Sequence, residues 1–135
     1  MKKGFTLLEL VVMVAVIAII MTIITAIMTN TFKANNRTMA LQKINDNGSY
    51  ALEQIRRYYL SQSICDGTAL TIDANKVLKL NDSELTKKDE VKASDLNVNC
   101  DDKVLSVSFK LETGSDKGKE YQASKSFTTS VVLRN

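Results

Sequence analysis

From Leu10 to Met28 the chain runs nineteen residues without a charge, and only Thr22 and Thr25 interrupt its apolar side chains. At 1.5 Å per residue a helix of that length covers about 28 Å, close to the roughly 30 Å hydrocarbon core of a bilayer. Apolar residues surround the whole helix instead of forming one stripe, so it must lie in lipid or among other helices. Past this run the pattern becomes one-sided. Leu41, Ile44, Gly48, Ala51, Leu52, Ile55 and Tyr59 recur at spacings of three and four, with Glu53, Gln54, Arg56 and Arg57 on much of the other face. That spacing predicts an amphipathic helix over about 31–64, whose apolar face packs on the chain's own sheet or in a partner's groove. Asn45-Asp46-Asn47-Gly48 are poor helix formers in a row and predict a kink or a short loop. Gly67, after Cys65-Asp66, is placed to stop the helix.

The remainder, about 68–135, reads as β. Residues 69–72 and 77–80 flank Asp73-Ala74-Asn75 as a hairpin, and residues 81–95 are polar and read as a surface loop. From Lys103 the chain alternates, with Leu105, Val107, Phe109 and Leu111 on one face and Ser106, Ser108 and Lys110 on the other. Residues 114–118 read as a turn. A second long strand comes next, with Phe127, Val131 and Leu133 alternating against Ser126, Ser130 and Val132. Two such strands need a cover for their apolar face, and the amphipathic helix supplies it. The fold class expected is α+β: a long hydrophobic N-terminal helix continuing into an amphipathic helix packed on a small antiparallel sheet.

Charge orients this arrangement. Lys2 and Lys3 precede the apolar run, so the positive-inside rule keeps the N-terminus cytoplasmic and exports the chain beyond Met28. A secretory signal has a shorter apolar region ending in a small-residue cleavage site. This run is longer, and Glu9 interrupts its start. The net charge is +3 for 135 residues, and +1 without Lys2 and Lys3. Nothing in that distribution would hold phosphates, so no nucleic-acid binding is expected. The chain contains no His, which removes the usual general base and the commonest metal ligand. Carboxylates such as Asp82, Glu84, Asp89 and Glu90 sit in polar runs that read as solvated surface. Neither catalysis nor a cofactor is expected. Asp66, Asp82, Asp101 and Asp102 are candidates for a calcium-stabilised loop, but no EF-hand spacing is present and solvated turns are the plainer reading. Cys65 and Cys100 are too few for a zinc site. In an exported segment they read as a disulfide, or else as two unrelated buried thiols.

The informative segment is Gly4-Phe5-Thr6-Leu7-Leu8-Glu9. Gly4 lets a membrane-surface peptidase approach the following bond closely. Glu9 costs about 2.5–3.5 kcal/mol at a bilayer centre on insertion scales, and less near the interface. An anchor gains nothing from it, so a partner charge is expected. Lys2 through Leu10, followed by the apolar run, resembles the class III signal of type IV pilins and type II secretion pseudopilins. The resemblance implies cleavage after Gly4 by a prepilin peptidase, N-methylation of Phe5, and packing of the apolar helices into a filament core. It also implies that Glu9 offsets the terminal amine of a neighbouring subunit.

From residue 28 onward the likeness is architectural. Residues 48–57 and 127–135 are similar to minor pilins of the J or W type. Many major pilins carry a proline partway along the apolar helix and this chain has none. That departure favours a minor or initiating subunit, although Thr22 and Thr25 can loosen the helix by bonding back to carbonyls. The organisation expected is a leader at 1–4, a transmembrane and filament-core helix at 5–30, and an extracytoplasmic unit at 31–135. The protein would be single-pass in the cytoplasmic (inner) membrane before entering a pilus or pseudopilus. Its partners would be the peptidase, the inner-membrane assembly platform, other pilin subunits and, before assembly, lipid. The alternative is a single-pass anchored binding domain that never polymerises.

Overall fold

The computed structural model describes residues 6–62, 67–101, 103–113 and 121–133. One α-helix, α1, spans Leu7–Gln62. The chain divides into two compact units, Met1–Asn35 and Asn36–Asn135, and each is taken by itself.

In the first unit no proline or glycine interrupts the described helix. Its threonine hydroxyls are satisfied inside it. Thr22 donates to Ile19 O (2.7 Å), Thr25 to Met21 O (2.8 Å), Thr29 to Ala26 O (3.0 Å) and Thr31 to Ile27 O (2.9 Å). These bonds leave no hydroxyl needing water, and the helix stays unbroken through all of them.

In the second unit, α1 buries Ala40, Ile44, Asn47, Gly48, Ala51, Ile55 and Tyr59. The expected stripe shifts at its start, where Leu41 is exposed and Ala40 takes the inward position, and Leu52 within it is only half-buried. The helix also runs straight through Asn45–Gly48, where the sequence predicted a kink or loop. Tertiary contacts outweigh the poor propensity there. The side-chain amide of Asn47 donates to Lys43 O and to Glu90 Oε2, both at 2.9 Å, while its oxygen accepts from Lys87 N–H at 2.9 Å. Gly48 lies directly under the Phe127 ring, where any Cβ would collide with it. Two of the four residues that read as breakers thus hold the helix to the rest of the unit, Asn47 to Lys87 and Glu90 and Gly48 to Phe127.

Two three-stranded antiparallel sheets come after a single 3-10 turn at Gly67–Ala69. The first holds β1 (Leu70–Ile72), β2 (Leu78–Leu80) and β3 (Ser83–Glu84) in that order. The expected hairpin is present, with Leu70 opposite Leu80 and Ile72 opposite Leu78. Asn81 and Asp82 both have left-handed φ (46° and 66°) between the paired Leu80 and Ser83. Two such residues make the tight hairpin turn that asparagine and aspartate favour. Residues 81–95 are therefore not a plain surface loop. They contain β3, bury Leu85, Thr86, Val91 and Ala93, and begin β4. Thr86 Oγ1 accepts from Leu78 N–H at 3.0 Å. Isolated apolar residues in a polar run give no periodic signal, which is why the pattern missed them.

The second sheet holds β4 (Lys92–Asp101), β5 (Val104–Thr113) and β6 (Ala123–Val132) in that order. β5 and β6 pair without a break from Val104↔Val132 to Thr113↔Ala123, whereas β4 is bulged between Ser94 and Asn97 with Asp95 at φ 54°. Leu105, Val107, Phe109 and Leu111 point to the core as their alternation predicted, and so do Phe127, Val131 and Leu133. They meet Ile44, Ala51, Ile55 and Tyr59 of α1 in one cluster. Phe109 and Phe127 stack at its centre, with centroids 5.6 Å apart and planes 18° apart. The fold is α+β, a long N-terminal helix with a small antiparallel sheet, as in pilins. The turn expected at 114–118 lies outside the described residues.

Candidate functional site

Thr6 fixes the start of α1. Its carbonyl accepts from Glu9 N–H (3.1 Å) and Leu10 N–H (3.3 Å), and its hydroxyl accepts from Glu9 N–H at 3.4 Å. This is an N-cap arrangement in which the Glu9 amide is shared between the Thr6 carbonyl and, at the longer distance, the Thr6 hydroxyl. Glu9 then stands at the third helical position, an acidic residue in the first turn, where the helix dipole favours negative charge. Thr6-Leu7-Leu8-Glu9 has the spacing of a capping box. That spacing is the signal the sequence carries for the cap. It changes the argument about Glu9, because a helix start gains from an acid here even with no partner charge. Glu9 is exposed and has no ion-pair partner among the described residues.

From Leu10 to Met28 only Thr22 and Thr25 break the apolar surface of the helix. Sixteen large apolar side chains between Leu7 and Met28 are 46–83 % exposed. The segment is long and apolar enough to cross a membrane. A soluble monomer rarely leaves so large an apolar surface uncovered.

The remaining candidates are scattered. Gly4, Phe5 and Cys65 lie outside the described residues, and with them the expected cleavage site and one half of the expected Cys65–Cys100 pair. Cys100 stands near the end of β4, opposite Leu105. Of the candidate calcium carboxylates, Asp82 sits in the β2–β3 turn and Asp101 ends β4, while Asp66 and Asp102 lie outside the described residues. No group of His, Cys, Asp or Glu suited to a metal is present among the described residues.

Asn47 is the polar residue that sequence reasoning missed. It is only 7 % exposed, and it clamps the segment before β4 onto α1. Glu90, the far end of that clamp, has its carboxyl held below the usual glutamate value. The Asn47 amide is the main cause, and Lys87 adds to it against the opposing effect of burial. Thr113 also donates its hydroxyl to Glu90 O at 2.6 Å. The clamp is structural and brings no reacting groups together.

Residues 1–25 match the family model for the prokaryotic N-terminal methylation motif. No curated protein and no solved structure matches the chain. The chain therefore opens with the class III signal of type IV pilins and pseudopilins, set on a helix long and apolar enough to span a bilayer.

Proposed function

We propose that this chain is a prepilin-like subunit that a prepilin peptidase cuts between Gly4 and Phe5 and that is then N-methylated on Phe5. Its helix, residues 5–30, leaves the cytoplasmic membrane through the inner-membrane assembly platform and packs against other subunits in a type IV pilus or pseudopilus. Residues 31–135 are extracytoplasmic. One observation carries this reading: the methylation motif runs directly into a helix whose apolar surface is uncovered all round. Lipid satisfies such a surface before assembly, and neighbouring helices satisfy it afterwards. Proteins with this signal are structural, and no catalytic role is assigned. The lack of proline and the likeness of 48–57 and 127–135 to J- or W-type sequences support a minor subunit.

Glu9 is proposed to pair with the terminal amine of a neighbour during assembly, in addition to its place in the helix cap. Cys65 and Cys100 are proposed to form a disulfide. Support comes from their sequence neighbours: a Cβ on Gly67 would lie 3.0 Å from Cγ1 of Val98, so Gly67 itself is beside β4.

The competing reading, an anchored binding domain that never polymerises, shares the apolar helix but has no use for a methylation motif. Intact mass of the membrane-extracted protein separates the two. Loss of Met1 through Gly4 with gain of one methyl group is expected. An uncut N-terminus in cells that possess the peptidase, or cleavage beyond Met28, would refute the proposal.

A further inference from the structure

We infer that the open edge of β6 docks an extended segment of another protein, which adds as an antiparallel strand and sets a carboxylate beside Arg37. β5 and β6 pair in one unbroken register, and Leu133 N–H donates to Lys103 O at 2.9 Å. Every second residue of β6, counting back from Leu133, therefore turns its backbone groups toward β5. Ser124, Ser126, Thr128, Ser130 and Val132 turn theirs away from it, and these five amides have no acceptor among the described residues. A further strand is what satisfies such a row of donors and acceptors.

Proteins blunt a long edge with a bulge, a proline or a charge. The opposite edge of this sheet is blunted: β4 is bulged between Ser94 and Asn97, and its Ala93 N–H already donates to Lys76 O at 2.7 Å. β6 has no bulge and no proline. Its one charge, Lys125, is drawn to the helix side, donating to Asn45 Oδ1 at 2.8 Å and lying 5.3 Å from the Phe127 centroid. The five outward residues are exposed, short and uncharged, so nothing repels an approaching chain. An open cavity of about 490 Å³ at the start of β6 is lined by Gln122 and Ser124 together with Arg37 and Leu41 of α1. Glu112 also lines it but is held by Lys110 at 2.7 Å, whereas Arg37 has no ion pair among the described residues. A strand antiparallel to β6 ends beside Ser124, which puts the matching carboxylate near the C-terminal end of the incoming segment. The β6 of a second copy matches poorly, since it carries Lys125 and no acid. Docking of this kind uses only the unit Asn36–Asn135 and does not depend on the chain polymerising.

The test uses the full-length chain in detergent and a displayed library of random peptides, each as long as β6. Selected peptides should be β-forming and acidic toward the C-terminal end. Amide exchange followed by NMR should find the five outward amides fast in the free chain and protected once a selected synthetic peptide is bound. Thr128→Pro removes an outward N–H and no bond to β5, as proline does on an edge strand. It should leave the β5-facing amides protected yet weaken peptide binding by about ten-fold or more, while Thr128→Ala should bind like the wild type. Arg37→Gln should weaken binding about three- to five-fold. A selected peptide N-methylated at its β6-facing amides makes the same test without altering the chain, and it should not bind. Outward amides already protected in the free chain would overturn the inference. So would selection of no peptide, selection of peptides without acids, or binding that survives the peptide's N-methylation. Self-association of the chain that Thr128→Pro abolishes would overturn the choice of a foreign segment in favour of a second copy.

Discussion

Replacing Gly48 with alanine places one methyl group where helix and sheet come closest. Its Cβ would fall against three atoms of the Phe127 ring, and even Cε2, the farthest of the three, is 2.6 Å away. Cβ contacts that short do not occur, so either the ring or the helix must move. The ring has little freedom, because Phe109 stacks on it and the Lys125 ammonium lies 5.3 Å from its centroid. Overpacking of this kind costs about 1–3 kcal/mol, and disturbing an aromatic pair adds about 0.5–1.5 kcal/mol. Against that, alanine gains about 1 kcal/mol over glycine inside a helix. The net expectation is a destabilisation of about 2 kcal/mol. For a unit the size of Asn36–Asn135 this lowers Tm by on the order of 10 °C. Thermal unfolding followed through the tyrosine near-ultraviolet circular dichroism reads it, since the chain has no tryptophan. The decisive comparison repeats the change in a Phe127→Leu background. With the ring gone, Gly48→Ala should be neutral or stabilising. A rise in Tm from Gly48→Ala in the native background would refute the close approach. An equal cost in both backgrounds would refute the assignment to Phe127.

The remaining perturbations each address one contact. Asn47→Ala leaves Lys87 N–H and Glu90 without their shared partner and should cost about 1–3 kcal/mol, read in the same melts. Because the folded-state pKa of Glu90 is depressed, its contribution is full above the ordinary glutamate value and lost as pH falls through the folded one. Stability should therefore decline in acid below about pH 4.5, less steeply in Asn47→Ala, and parallel declines in the two proteins would dismiss the Asn47–Glu90 bond as the cause. Non-reducing peptide mapping of protein from its native source should find Cys65 joined to Cys100, a link contributing roughly 3–4 kcal/mol on the chain-entropy model. Two alkylatable thiols would rule it out. Glu9→Val and Glu9→Gln should both be processed yet enter sheared filaments poorly, as blots for this protein would show, and incorporation equal to the wild type would defeat the charge-pairing role.

Much of this architecture was legible because long periodic segments carry their own signal. The alternation through Leu105–Leu111 and Phe127–Leu133 points to one environment, and both strands are found in it, while the uncharged run from Leu10 forms the helix its length predicts. What escaped was encoded between residues far apart. Asn47 and Gly48 look like breakers until Lys87, Glu90 and Phe127 are beside them, and those partners lie 40, 43 and 79 positions away. Leu85, Val91 and Ala93 failed for the opposite reason: each is a single apolar residue in a polar run, with too few neighbours to set a period. At the N-terminus the motif was plain but its local physics was not. Glu9 read as a charge in search of a partner, while the cap three residues earlier already gave an acid there a use.

That second use does not make the proposed assembly role superfluous, and the energies show why. Covering sixteen large apolar side chains is worth on the order of 25–50 kcal/mol at about 1.5–3 kcal/mol each. The cost of Glu9 near an interface, below about 3 kcal/mol, cannot keep such a helix out of a bilayer. The same large term vanishes when the helix exchanges lipid for other helices, because lipid tails are as apolar as leucine. On the proposed function, transfer from membrane to filament would then be decided by small differences in packing and polar contacts. A helix cap survives the transfer unchanged and contributes nothing to that difference. The proposed pairing with a neighbour's amine would exist only in the assembled state. At about 4 Å and an effective dielectric of 20 its gross attraction is some 4 kcal/mol before desolvation, enough to set the direction of a nearly balanced exchange. Glu9→Gln isolates this term: it removes the charge while leaving the Thr6 hydroxyl and carbonyl bonded to the backbone amide of residue 9. Lost incorporation with an intact cap is the signature of pairing, and the cap alone cannot produce it.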